Sequence, residues 1–152
     1  MLRAEASLWG GVGMTAIRLR RALVEEMFAH ARAVAPEECC GLLGGRGAEA
    51  LSVYPLRNVA PAPAISYEAA PEELFDAQRR MRVRVETLTA IYHSHPRSNE
   101  PAPSPADVKL AFYPTAVYFI IGFDARGECV LRAFRISERD VRWERAEFEV
   151  IE

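Results

Sequence analysis

The chain has 152 residues and a formal net charge of −2, enough for one compact domain and too few for two ordinary ones. Half of it (50%) is hydrophobic, so a core can form, and the interspersed acids and bases exclude a nucleic-acid surface built on bulk charge. No apolar run is long enough to cross a bilayer, and Cys39, Cys40 and Cys129, two of them adjacent, make no disulfide framework, which points to a reducing cytoplasm.

The opening MLRAEASLWGGVGM carries one arginine and a short, Gly-broken apolar stretch, a poor signal peptide. Residues 1–13 read as a disordered extension, or as lying upstream of a start at Met14. Residues 14–152 then form one domain. The spacing of Leu19, Leu23, Met27 and Ala31 predicts a helix over residues 17–34, with Arg20, Arg21, Glu25 and Glu26 on the wet side. Pro36 stops it. CCGLL reads as a short buried strand ending in glycines, and ALSVYPL as another. After the Pro-rich connection RNVAPAPAISY, PEELFDAQRRMRVR opens a second helix with Pro71 at its first position, acids in its first turn and arginines at its end.

TLTAIYHSH is a β-rich run. SPADVKLAF starts a short helix, AVYFIIGF is a fully buried strand, and DARG turns into its hairpin partner ECVLRAFRI. VRWERAEFEVI alternates as one last strand, on which Trp143 and Phe148 suit a sheet edge or a partner surface equally. The order of elements predicts a mixed α/β (α+β) domain.

The chain has three histidines, and two of them flank one serine in IYHSHPRSNEPAPSPAD. On a strand, residues two apart share a face, so His93 and His95 present their rings together, roughly 6.5–7 Å apart at the Cα atoms. Pro96 ends the ladder where the rings end. Asp107, on the first turn of the following helix, is the best-held carboxylate available as a third ligand; Glu100 lies in the loop. Two histidines and one aspartate leave the fourth tetrahedral position of a zinc ion open for water, a catalytic arrangement.

Plainer readings exist for each residue. Ser104-Pro105-Ala106-Asp107 is also a helix start: cap, proline at the first position, acid at the third. His30 falls at helical spacing with Met27 and Val34 and reads as a packed or half-exposed helix residue. Cys40 reads as a small buried thiol.

HSHP followed by PSPAD resembles the JAMM signature of MPN-domain metalloproteases in their small prokaryotic form. PEECCG resembles the family's Glu-x-Cys-Gly segment, and RNVAPAPAISYEAAPEEL the stretch before its second helix; the likeness runs from about residue 17 to 136. The resemblance implies an MPN/JAMM (cytidine-deaminase-like) fold, with a central mixed, mostly antiparallel β-sheet flanked by helices. It implies one zinc ion held by His93, His95 and Asp107, with Glu38 as general base and Ser104 donating a hydrogen bond to the developing oxyanion. Glu37 rivals Glu38, and the register with Cys40-Gly41 selects Glu38. That register also places Cys40 close to the metal.

The substrate implied is the C-terminal Gly-Gly tail of a ubiquitin-like or sulfur-carrier protein, cut from a conjugate or relieved of a terminal amino acid such as cysteine. A zinc amidohydrolase acting on a small or peptidoglycan-like peptide, and a non-catalytic scaffold module, are the alternatives. No nucleic-acid or membrane partner is expected, and partner selection, which short loops cannot supply, falls to the core domain surface or to a homodimer. Two departures stand out. Eight residues separate His95 from Ser104 where the family has seven, which predicts a bulge in PRSNEPAP and an intact site, since one loop residue costs little closure entropy. Ala90 stands where many members carry glycine.

Overall fold

A computed structural model describes residues 16–152; the readings on residues 1–13 and on Met14 lie outside the described residues. Strand β1 is Ile17–Arg20 and helix α1 Arg21–Val34. Strands β2 (Cys40–Arg46) and β3 (Glu49–Leu56) form a hairpin, followed by helix α2 (Pro71–Val83) and strand β4 (Thr87–Ser94). Helix α3 (Pro105–Lys109) leads into β5 (Val117–Phe123), β6 (Cys129–Ser137), β7 (Arg142–Arg145) and β8 (Phe148–Ile151). The eight strands form one sheet in the order β7-β6-β5-β4-β2-β3-β1-β8. Pairs β2–β3, β2–β4, β5–β6 and β6–β7 are antiparallel; β1–β3, β1–β8 and β4–β5 are parallel. The sheet is mixed and, by a narrow margin, mostly antiparallel, as expected.

Two elements differ from the sequence reading. The predicted first helix starts four residues later, because Ile17 and Leu19 are buried while Arg18 and Arg20 are exposed, a period of two. The four-residue spacing of Leu19 and Leu23 hides that alternation. The predicted last strand is two strands at opposite ends of the sheet order: β7 pairs with β6, and β8 runs parallel to β1. Only Ala146 and Glu147 link them, a span of at most about 11 Å. The sheet therefore curls until its two ends approach each other. Trp143 packs edge-on to Phe134, and Phe148 edge-on to Phe119, each at 5.3 Å.

The curled sheet wraps α1. Leu23, Val24, Met27 and Ala31 of α1 pack on Leu43, Ala90, Tyr92, Phe119 and Ile121. The opposite face carries Leu42, Tyr54, Ile91, Tyr118 and Ile120 beneath Ala77 and Met81 of α2 and Val108 of α3. Each large apolar side chain buried in these layers stabilises by roughly 1.5–3 kcal/mol. Alternation along β4 sends Tyr92 to the α1 face and His93 to the other, where α3 begins.

Candidate active site

β4 delivers the two imidazoles. His93 is its penultimate residue and fully buried (0% exposed). His95 lies just beyond the strand, still bonded through its N–H to the Ile121 carbonyl at 2.8 Å. The loop then turns back, with the Ser98 N–H on the His95 carbonyl and the Phe123 N–H on the Ser98 carbonyl. It lies directly on Gly122, where an added Cβ would sit 2.4 Å from the Ser98 oxygen. The loop carries a turn at 96–97 and a bend at 99–100, and β4 runs to Ser94 before it. Glu100 is exposed and takes no part.

At α3, Ser104 and Asp107 form a capping box. The Asp107 N–H donates to Ser104 Oγ at 3.1 Å, and the Ser104 N–H donates to Asp107 Oδ2 at 2.9 Å. The helix-start reading is therefore correct. The cap also aims Oδ2 at the histidines: it lies 3.1 Å from His93 Nε2 and 3.0 Å from His95 Nε2. The two Nε2 atoms are themselves 3.1 Å apart.

This triangle is poor hydrogen bonding and good ligand geometry. Each Nε2 carries at most one proton, so at most two of the three contacts can be hydrogen bonds and the third sets like against like. A cation between them would attract the lone pairs of all three atoms at once and outweigh their mutual repulsion. Ligand atoms around a tetrahedral ion with bonds of 2.0–2.1 Å stand roughly 3.3 Å apart, close to these separations. The donor set, two imidazole nitrogens and one carboxylate oxygen, suits a borderline-soft divalent metal.

Glu38 completes the arrangement. It is buried (5% exposed), whereas Glu37 is exposed. Its carboxylate lies within 4.8 Å of the ligand atoms of both histidines, and its Oε1 is buried with no hydrogen-bond partner. Asp107 Oδ2, not Glu38, makes the short contacts to both rings, while Glu38, His93 and His95 also form a group able to hold a metal ion. Burial pushes the Glu38 carboxyl up to about 7, with His95 opposing and Asp107 adding to the rise. Burial would raise Asp107 as well, but the His93 charge and the bonds from His93, His95 and the Ser104 N–H hold it well below the usual carboxylate range. Burial lowers His93; it also acts to lower His95, where the Asp107 bond wins and the net shift is upward.

The five residues singled out in the sequence thus converge. Cys40 pairs with His93 across β2 and β4, so it is near the group, as its register required. It is buried with its Sγ 3.7 Å from the Leu56 carbonyl, and burial pushes its pKa up to about 12; it is a buried thiol. Two other residues went unnoticed in the sequence. Tyr67, in the Pro-rich connection, stacks on His93 at 4.5 Å with 26° between the rings. Asn58 is bonded to the backbone of Glu38 at 3.1 Å. A single Asn entering a Pro-rich loop was the available signal, because Asn side chains organise turns.

Residues 20–137 match the model of the prokaryotic homologs of the JAB domain. The chain belongs to that family. It is 40% identical over 85% of its length, and 82% of the relative's, to a probable TtuB-protein conjugate cleaving protease of Thermus thermophilus. It is 35% identical over 79% of its length, and 82% of the relative's, to the CysO-cysteine peptidase of Mycobacterium tuberculosis. The solution structure of a Desulfitobacterium hafniense protein, 36% identical, superposes with a TM-score of 0.78 over 90% of this chain and 93% of that one. A JAB1/MPN domain protein from Archaeoglobus fulgidus, 17% identical, shares the fold at a TM-score of 0.60 over 90% and 99% of the two chains. The expected MPN fold is therefore observed, and the protein is a JAMM-type hydrolase. No helix among the described residues is long and apolar enough to cross a membrane.

Proposed function

We propose that this JAMM-type hydrolase cleaves the amide bond after the C-terminal Gly-Gly of a ubiquitin-like or sulfur-carrier protein, using zinc held by His93, His95 and Asp107. The observation that carries the reading is the Nε2–Nε2–Oδ2 triangle with a buried carboxylate facing it. The relatives above, one acting on a TtuB conjugate and one on CysO-cysteine, support the substrate class. An apolar cleft of about 590 Å³ opens beside Tyr67 and extends along Leu42, Leu74 and Ile91. It gives an extended tail room to lie across the apolar face of the sheet.

When bound, zinc supplies Lewis acidity, lowering the pKa of a water to about 7. Glu38 takes the proton of the attacking water and delivers it to the departing amine. Burial raises this carboxyl above the ordinary carboxylate range in the metal-free protein, a direction that favours holding the proton between the two halves of that transfer. Ser104 Oγ accepts from the Asp107 N–H, so its own O–H is left to donate to the oxyanion that develops on the scissile carbonyl. Cap and catalytic donor are compatible in one hydroxyl. The free thiols of Cys39, Cys40 and Cys129 suit a reducing cytoplasm. A homodimer that shapes partner choice remains part of the proposal and is read by sedimentation.

The test uses a ubiquitin-like carrier amidated at its C-terminal glycine with a fluorophore, together with zinc titration. Glu38→Gln is expected to bind zinc as wild type does and to lose about 10²–10⁴-fold in kcat; His93→Ala is expected to lose zinc. Full activity of Glu38→Gln would falsify its role as base.

A further inference from the structure

Glu38 precedes β2 and so has no ladder to hold it, yet a general base must be fixed to within a fraction of an ångström. Both of its backbone polar groups are held instead by the Pro-rich connection between β3 and α2. The Glu38 N–H donates to the Pro63 carbonyl at 2.7 Å, and the Glu38 carbonyl accepts from Asn58 Nδ2 at 3.1 Å. Asn58 is also the hub of the connection itself. Its Nδ2 donates to the Ser66 carbonyl at 2.9 Å, and its Oδ1 accepts from the Ala60 and Glu68 N–H groups, each at 3.0 Å. The bonding partners leave no freedom in the amide: N–H groups can only donate and carbonyls only accept, so the amide cannot be flipped. A bridge between Asn58 and Ala69, with the Val59 N–H on the Glu68 carbonyl, closes the segment into a strap. The strap carries Tyr67, whose ring stacks on His93.

We propose that Asn58 is a positioning residue that holds the general base and one metal-binding imidazole in register through this strap. The inference rests on the function proposed above and deepens it, by adding a residue that touches neither substrate nor metal. Its two halves do different work. Oδ1 shapes the strap, and Nδ2 ties the shaped strap to Glu38. Tyr67 acts through its ring: a flat surface against His93 limits rotation of the imidazole about its own axis, and a second aromatic can do the same.

Four variants of the full chain separate these roles: Asn58→Ala, Asn58→Asp, Tyr67→Leu and Tyr67→Phe. Asn58→Asp keeps an acceptor for Ala60 and Glu68 but turns an oxygen toward the Glu38 and Ser66 carbonyls, so the tie is lost. Three readouts are taken on samples that circular dichroism shows to be folded: amide hydrogen exchange, kcat and KM on the fluorogenic carrier at saturating zinc, and zinc affinity against a chromophoric chelator. Both Asn58 variants are expected to raise Glu38 amide exchange at least about tenfold while Leu43, in the middle of β2, is unchanged, and to lower kcat about 10–100-fold with KM within about twofold, the usual scale for an outer-shell partner. Tyr67→Leu is expected to weaken zinc binding about tenfold, and Tyr67→Phe to retain it. Wild-type exchange at Glu38 in both Asn58 variants overturns the proposal, even if the wild type proves inert on the carrier. So does undiminished kcat in an active background, or undiminished zinc affinity in Tyr67→Leu.

Discussion

Gly41 lies in the Glu-x-Cys-Gly segment, directly opposite Tyr92 on β4, and Gly41→Ala isolates what that glycine does. A Cβ there would sit 2.3 Å from Tyr92 Cε1 and 2.4 Å from both Cζ and the hydroxyl oxygen. To reach an ordinary 3.4 Å contact from 2.3 Å, ring and strand must separate by about 1 Å (3.4 − 2.3). The ring has nowhere to go: Tyr92 is 0% exposed and its hydroxyl is bonded to His30 Nδ1 at 2.7 Å. Overpacking of this kind costs about 1–3 kcal/mol, and breaking the hydroxyl bond adds about 1 kcal/mol. Losing the conformational entropy of an unfolded glycine offsets about 0.4–1 kcal/mol. The net loss is about 1–3.6 kcal/mol, or a fall of about 2–14 °C in Tm for a domain of this size, read by calorimetry and by urea denaturation. His93 follows Tyr92 on β4, so zinc affinity should fall as well. In a Tyr92→Leu background, where the offending ring atoms are gone, the same substitution should cost far less, and the double-mutant cycle should show strong coupling. A Gly41→Ala protein within about 0.5 kcal/mol of wild type, or additive energies in the cycle, would show that the strands are not held at this spacing.

Ser104 can be taken apart by size. Ser104→Ala should cost about 1 kcal/mol of stability and Ser104→Gly only a few tenths, because glycine is tolerated at a cap. Both should lose about 10²–10³-fold in kcat, and an active Ser104→Gly protein would remove the hydroxyl from the chemistry. His30 sets a pH dependence: burial lowers its pKa below 6.5, so the folded state binds the proton less readily than the unfolded chain. Its contribution is complete above pH 6.5 and is lost as pH falls through the folded value. His30→Gln, which does not titrate, should flatten the decline of Tm between pH 7 and 5 in metal-free protein, and an unchanged slope contradicts the assignment. Burial pushes the thiols of Cys39 and Cys40 up to about 12, whereas Cys129 is only half-buried. Native protein treated with iodoacetamide at pH 8 should therefore carry one adduct, on Cys129, by mass spectrometry; rapid labelling of Cys40 would mean an exposed site.

Much of the site could be read before any coordinates, because its chemistry is local. Period-two geometry puts His93 and His95 on one strand face wherever the strand lies. A Ser-Pro-x-Asp helix start fixes Ser104 and Asp107 relative to each other through two hydrogen bonds that close within four residues. What the sequence could not settle was long-range pairing. Ile17 and Leu19 become a strand because β3 and β8, both distant in sequence, run beside them. One alternating run becomes two strands because the curled sheet brings its ends within reach of a two-residue link. Glu38 could be chosen over Glu37 from its neighbours, but its burial, and hence the elevated pKa of its carboxyl, exists only in the packed molecule. The roles of Asn58 and Tyr67 follow from the same fold: five hydrogen bonds and a stacked ring link residues from Glu38 to His93, 55 positions apart (93 − 38). Backbone periodicity and capping act over a few residues and leave their mark in sequence, whereas burial and cross-chain bonding are properties of the packed molecule alone.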